Sequence, residues 1–382
     1  MAKNPCYALR EAGTAVWLDQ ISRTLILEGR LQALISEAAL SGVTSNPTIF
    51  HKAMTGSSAY DNQIAELRPR KLNTEQLYEH LAVRDIQIAC DVLRPVWEET
   101  EGRDGFVSLE VSPHLAKDPE GSLAAARRFS AWVQRPNLLI KIPGTPQALP
   151  AIKQALREGI AINITLLFAV EAYEQVAHAY VEAMKERAAA GQSLEVPSVA
   201  SFFVSRIDTL ADKLLEEAAG KRGSDSERQD VLSLRGRTAV ANAKMAYQSF
   251  LRIFGEPDFQ ALISKGARVQ RPLWASTSTK NPAYRDVMYV EPLIGRDTVN
   301  TMPMETIEAF LDHGVATPDT VRHDVEDARR VLARLEQAGV SLRAVTDQLL
   351  AEGIAKFNEP YDKLLESLAR KEQAAEPESQ HS

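Results

Sequence analysis

Short apolar runs alternate along the chain with longer segments whose apolar positions recur at helical spacing. The runs 14–19, 42–46, 106–112, 137–142, 161–166, 197–203, 271–276 and 286–292 have the length and side-chain bulk of strands. Between them the spacing predicts helices, among them 22–40, 74–99, 119–134, 146–158 and 168–190. Asn73, followed by Gln76, has the form of a capping box that opens helix 74–99. Two helices are expected in 204–270, around the polar loop 220–225. Three more, 304–312, 319–339 and 342–369, are expected after the last strand. In the last of these Leu342, Val345, Leu349, Ile354, Phe357, Tyr361, Leu364 and Leu368 form one apolar face, which calls for a helix elsewhere in the fold as its partner.

Strands that alternate with helices pair in parallel. Eight of them favour closure, which leaves no edge strand. The expected fold is therefore α/β: a (β/α)8 TIM barrel with additional helices, one catalytic domain over 1–370, then a polar, disordered tail over 371–382. An open doubly wound sheet is the alternative. It would carry a glycine-rich phosphate turn after its first strand, where this chain reads Trp17-Leu18-Asp19-Gln20-Ile21-Ser22.

Side chains on a strand alternate between faces. In 107–112, Val107, Leu109 and Val111 oppose Ser108, Glu110 and Ser112. In 137–143, Leu138, Ile140 and Ile142 oppose Lys141. In 161–166, Ile162, Ile164 and Leu166 oppose Ala161, Asn163 and Thr165. The apolar faces belong against the helices, so three consecutive strands send Ser108, Glu110, Lys141, Asn163 and Thr165 into the barrel. All lie toward strand C-termini, where barrel active sites are built. A partly desolvated lysine amine can attack a carbonyl, and the iminium it forms draws electrons from an adjacent carbon–carbon bond. Glu110 and Asp19 are available for the proton transfers. Parity alone leaves a second reading open, in which Glu110 and Lys141 are an ion pair filling the barrel mouth.

Composition narrows the chemistry. Net charge is −7, against non-specific nucleic-acid binding but not against a local cation cluster. Two cysteines, Cys6 and Cys90, give no disulfide framework and suit a reducing compartment, so a cytoplasmic location is expected. No run of apolar residues is long enough to span a membrane. The seven histidines are scattered away from metal-ligand spacing, so neither a metal nor a cofactor is expected, and a metal-dependent aldolase is disfavoured.

At this point the residues become specific. WLDQ (17–20), GVTSNPTIF (42–50), VSLEVSP (107–113), LLIKIPGT (138–145), INITLLF (162–168), SFFVSRID (201–208), LWASTSTKNP (273–282) and DVMYVEPLIGRDTVNTMP (286–303) follow one another in order. Together they resemble the transaldolases, and STSTKNP with GRDTVNTMP looks most like the larger bacterial subgroup. The resemblance implies transfer of a dihydroxyacetone unit between sugar phosphates of the pentose phosphate pathway, by a monomer or homodimer. It implies that Lys141 is the Schiff-base lysine, Glu110 an acid/base acting through a bound water, Thr165 the residue holding that water, and Asp19 the acceptor of the C4 hydroxyl proton. Asn46 and Asn163 match asparagines that bind substrate hydroxyls. Ser201 matches a serine near the C1 hydroxyl, Phe203 an aromatic of the site wall, and Arg206 a phosphate-binding arginine. One departure stands out. Smaller transaldolases carry a second phosphate arginine in an Ala-Ser-Phe-Arg stretch after strand seven. Here Ser278 takes its place by register, with Lys280 two residues on.

Blander readings accompany these residues. Asp19 also reads as a helix cap, Asn46 as a turn residue, Ser201 as a core hydroxyl bonded to backbone, and Arg206 as a partner of Asp208 or Asp212. His114, Trp17, Trp132 and Trp274 read as loop or packing residues. Two competing functions are an aldolase that releases free dihydroxyacetone and a catalytically silent barrel that senses sugar phosphates. The related fructose-6-phosphate aldolases are shorter and carry glutamine where this chain has Glu110.

Overall fold

The structure, a computed structural model, describes residues 4–374. Its centre is a closed barrel of eight parallel strands in sequence order. They are β1 (Thr14–Leu18), β2 (Leu40–Val43), β3 (Phe106–Glu110), β4 (Leu138–Pro143), β5 (Ile162–Leu167), β6 (Ser198–Phe203), β7 (Arg271–Ala275) and β8 (Thr298–Met302). β1 pairs with β8, so the ring has no free edge. The sequence pattern thus identified the architecture and seven strands, with β2 displaced toward the N-terminus.

The eighth strand was misplaced. Residues 286–292 are not a strand; they form turns that lead into the short 3-10 helix Glu291–Leu293. Their apolar side chains are buried all the same, with Val287, Tyr289 and Val290 packed in the core. The strand that closes the barrel is TVNTM, which hydrophobicity does not single out. Most of its polar groups meet neighbours: the Thr298 hydroxyl donates to Gly295 O at 2.7 Å, and Asn300 Oδ1 accepts from Thr277 at 2.8 Å, while Asn300 Nδ2 has no partner among the described residues.

Several helices also differ from expectation. The segment 22–40 is two helices, Arg23–Leu27 and Arg30–Glu37, broken at Gly29, whose φ of 73° is left-handed. Residues 204–270 hold four helices rather than two: Ser205–Gly220, Asp225–Leu232, Thr238–Phe254 and Pro257–Ile263. The helix expected from 319 begins at Val325. The capping box of Asn73 and Gln76 is formed in both directions. Residues 371–374, assigned to a tail, continue the last helix, Leu342–Ala374; the rest of that tail, 375–382, lies outside the described residues.

That last helix packs on Pro47–Thr55 and Thr74–Glu99, and on the Ser205–Gly220 helix that follows β6. It thereby crosses the end of the barrel at which the strands finish. Below the site the barrel is filled by bulk. Trp17 pairs with Gly42 across β1 and β2, and a Cβ on Gly42 would lie 2.4 Å from the indole. The Trp17 Nε1 donates to Asp104 at 2.8 Å.

Candidate active site

The register of three strands sets the centre. Glu110 on β3 is opposite Lys141 on β4, and Lys141 is opposite Asn163 on β5. Both Glu110 and Lys141 are 4% exposed, so neither charge is solvated by bulk water. The Lys141 Nζ donates to Ser45 O at 2.9 Å and lies 3.1 Å from Glu110 Oε2. Neither oxygen of Glu110 receives a well-aligned hydrogen bond among the described residues. Burial pushes the Glu110 carboxyl up to about 7; the Lys141 ammonium opposes that, and the charge of Asp19 adds to it.

Above this pair opens a cavity of about 310 Å³. Lys141, Thr165, Asp19, Asn46, Ser201, Phe203, Arg206, Ser278 and Lys280 all line it. Two candidates do not. Glu110 and Asn163 lie beneath the lining, where Asn163 Nδ2 donates to Ser108 Oγ at 3.0 Å and its Oδ1 accepts from Ser201 at 2.7 Å. The structure therefore brings all eleven candidates to one end of the barrel, nine on the cavity wall and two in a polar layer under it.

The blander alternatives resolve residue by residue. Asp19 is not a helix cap, since Ser22 caps Arg23–Leu27. Its Oδ1 accepts from the Thr44 hydroxyl at 2.7 Å, and Thr44 touches Thr301 at 2.8 Å. Asn46 is a cap: its Oδ1 accepts from Ile49 N at 2.9 Å and opens the helix Pro47–Thr55. That use engages its carbonyl oxygen and leaves the amide nitrogen without a hydrogen bond among the described residues. Ser201 bonds a side chain, not backbone. Thr165 Oγ1 is buried without a hydrogen-bond partner among the described residues.

Arg206 stands in the first turn of Ser205–Gly220, with its guanidinium 5.2 Å from the centre of the Phe203 ring. Burial lowers its pKa, while the charges of Asp19 and Glu352 raise it. Asp208 and Asp212 are engaged elsewhere. Asp208 accepts from Ala239 N and the Tyr289 hydroxyl, and Asp212 from Gly236 N and the Tyr284 hydroxyl. Also on the cavity lining, in the segment after the neighbouring β7, the Lys280 Nζ donates to Ser278 Oγ at 2.7 Å. A net negative chain thus places Lys52, Arg206 and Lys280 around one opening.

Lys52 and Phe357 also line the cavity and were not among the candidates. Lys52 shares a helix face with Thr48 and Ile49, a spacing visible once Asn46 is recognised as the cap. Phe357 was visible only as one member of an apolar helix face. The remaining assignments hold a structural place. His114 pairs with Asp362 at 2.8 Å, Trp274 donates to Leu293 O, and Trp132 packs on His80. Cys6 and Cys90 are free and buried. Among the described residues no group of His, Cys, Asp and Glu could hold a metal ion, and no helix is long and apolar enough to cross a membrane.

Comparison with known proteins finds similarity over nearly the whole chain. A sequence profile of the transaldolase/fructose-6-phosphate aldolase family matches residues 16–368. The chain is 43% identical to a transaldolase of Trichodesmium erythraeum over 374 residues, covering 97% of this chain and 98% of the relative. It is 46% identical to a transaldolase of Thermobifida fusca, covering 96% and 98%. It is 47% identical to one of Mycolicibacterium paratuberculosis, covering 96% of each.

Proposed function

Because the chain belongs to the transaldolase/fructose-6-phosphate aldolase family, we propose that it is a transaldolase that works through a Schiff base on Lys141. It takes a dihydroxyacetone unit from sedoheptulose 7-phosphate or fructose 6-phosphate. It passes that unit to glyceraldehyde 3-phosphate or erythrose 4-phosphate, as a cytoplasmic enzyme of the pentose phosphate pathway. The observation that carries the reading is the pair at the cavity floor: a nearly buried amine 3.1 Å from a carboxyl that titrates near neutrality.

Lys141 Nζ attacks the C2 carbonyl of the donor. Glu110, protonated in part near pH 7, supplies the proton that carries away the C2 oxygen as water. The transfer runs through a water held by Thr165, whose unpartnered hydroxyl lies on the strand next to Lys141. Asp19 accepts the C4 hydroxyl proton as the C3–C4 bond breaks, and the electron pair of that bond passes into the iminium to give an enamine. The shortened aldose phosphate leaves. The enamine carbon then attacks the acceptor aldehyde, and the steps reverse. Arg206 holds the phosphate, helped by Lys280 and Ser278 from the segment after the neighbouring β7. Asn46, Asn163 and Ser201 orient the hydroxyls near C1 and C3, and Phe203 forms the wall.

Borohydride added with fructose 6-phosphate is the test. It is expected to fix a three-carbon or six-carbon adduct on Lys141, found by peptide mass. An unmodified Lys141, under conditions where a control Schiff-base enzyme is trapped, would remove the mechanism. The aldolase reading is the runner-up. Glu110, where the aldolases resembled carry glutamine, and the names of the relatives favour transfer.

A further inference from the structure

Phe357 has no part in the reaction just described, yet it reaches the centre from a helix outside the barrel. It belongs to the helix Leu342–Ala374, is 4% exposed, and lines the cavity. Its ring centroid lies 5.8 Å from Lys141 Nζ. The helix that carries it is fastened on several sides of the mouth. The Tyr361 hydroxyl donates to Glu75 at 2.8 Å, Asp362 pairs with His114, and the Lys371 Nζ donates to Ser57 O at 2.9 Å. At Gly353 the helix comes so near β5 that a Cβ would lie 3.0 Å from Leu166, the neighbour of Thr165. A ring held by such a frame is a fixed cover over the amine.

We infer that Phe357 is a positioning residue that shields the enamine on Lys141 from water, and so directs the bound three-carbon unit to transfer instead of release. This rests on the Schiff-base reading above. After C3–C4 cleavage the enamine has two fates. In transfer, C3 bonds to the acceptor aldehyde carbon, whose oxygen takes a proton. In release, C3 takes a proton through the enamine's C2=C3 electron pair, and the nitrogen lone pair forms the C2=N bond of an iminium. Water then bonds to C2, the C2–N bond breaks with its electron pair returning to nitrogen, and dihydroxyacetone leaves at a net cost of one water. Both routes admit water to C2 at the end, so the branch is set at C3. C3 is two bonds from the nitrogen that Phe357 covers. Excluding bulk water from such a centre is how closed sites suppress side reactions.

The experiment compares wild type, Phe357→Leu and Phe357→Ala with fructose 6-phosphate as donor. Free dihydroxyacetone is measured without an acceptor, and transfer is measured with erythrose 4-phosphate. The ratio of release to transfer is expected to rise roughly tenfold in Phe357→Ala, the loss of a desolvated aromatic cover, and less in Phe357→Leu, which keeps apolar bulk and guards against a folding failure. A general loosening would lower both rates and leave the ratio in place. An unchanged or reduced ratio in both variants overturns the inference. Borohydride trapping of wild type separates the two readings: no adduct on Lys141 sinks the Schiff base itself, whereas an adduct with an unmoved ratio sinks Phe357 alone.

Discussion

Burial makes the Glu110 carboxyl a group of unusual use, because it titrates at about 7 instead of its ordinary 4.5. A group that is half protonated near neutrality can give a proton in one step and take one in the next. Glu110→Gln keeps the shape and removes the titration. It is expected to lower kcat by roughly 10²- to 10⁴-fold, the usual contribution of general acid–base catalysis, with little change in KM. Steady-state kinetics and the rate of borohydride trapping check this; wild-type rates would strike Glu110 from the mechanism. Arg206→Ala acts at a distance from the reacting carbons. It is expected to raise KM for fructose 6-phosphate roughly tenfold or more, the loss of one charge-assisted contact, while leaving KM for unphosphorylated fructose unchanged. Equal effects on both sugars would mean that Arg206 does not bind phosphate. Ser108, Glu110, Lys141, Asn163 and Thr165 were legible from strand parity, since period two fixes the face each side chain takes; Asn46, Ser201, Phe203, Arg206, Ser278 and Lys280 came from the resemblance. Lys52 and Phe357 were not legible. They reach the cavity from helices, and where a helix lands is set by packing rather than by its own pattern.

Elements tell a different story at the segment between β7 and β8. The apolar run 286–292 satisfied the requirement for a buried strand, and burial was right while pairing was wrong. Tyr289 shows why. Its hydroxyl donates to Asp208 Oδ2 at 2.9 Å, and Tyr284 donates to Asp212 at 2.5 Å, so the run is held against the helix Ser205–Gly220 by two carboxylates one turn apart. A loop fixed in this way needs bulk to fill the space and hydroxyls to meet the acids, which mimics a strand in hydropathy. The true β8 hides for the opposite reason, because its hydroxyls and the Asn300 carbonyl oxygen find partners inside the barrel. A turn at Gly295-Arg296-Asp297 followed by the β-branched Thr298, Val299 and Thr301 was the available signal. Tyr289→Phe keeps the bulk and deletes the donor. It is expected to destabilise the protein by about 1–3 kcal/mol, the penalty of leaving a buried acceptor unsatisfied, read as a lower urea midpoint at unchanged slope. An unchanged midpoint would show that the hydroxyl contributes nothing to holding the loop.

For the whole molecule these acids set how stability varies with pH. Burial raises Glu110 to about 7 from 4.5 and Asp208 to about 7 from 3.8, and raises Asp85 and Asp104 in the same direction. A carboxyl whose folded value lies above its unfolded one binds its proton more tightly in the folded state. Its contribution is fully present below the unfolded value and is lost as pH rises through the folded value. For Glu110 and Asp208 that window runs from about 4 to 7. Asp91, Glu158 and Asp286 behave the other way. Arg135, Arg127 and His313 hold them below their ordinary values, so they contribute at neutral pH and fail in acid. They are largely exposed, and screened surface pairs contribute little. The buried acids therefore dominate between the two regimes, and stability is expected to fall as pH rises from 5.5 to 8. Glu110→Gln and Asp208→Asn each remove one titration while keeping an amide of the same size, and Asn can still accept from Ala239 and donate to the Tyr289 oxygen. Comparing each variant with wild type at the two pH values cancels the ionisable groups that do not touch the substituted one, His51 and His80 included. The urea midpoint of each variant is expected to decline less than that of wild type over this range. Parallel declines would mean that these two carboxyls ionise in the folded protein as they do in the unfolded chain, and the near-neutral acid that the reaction requires of Glu110 would be gone with them.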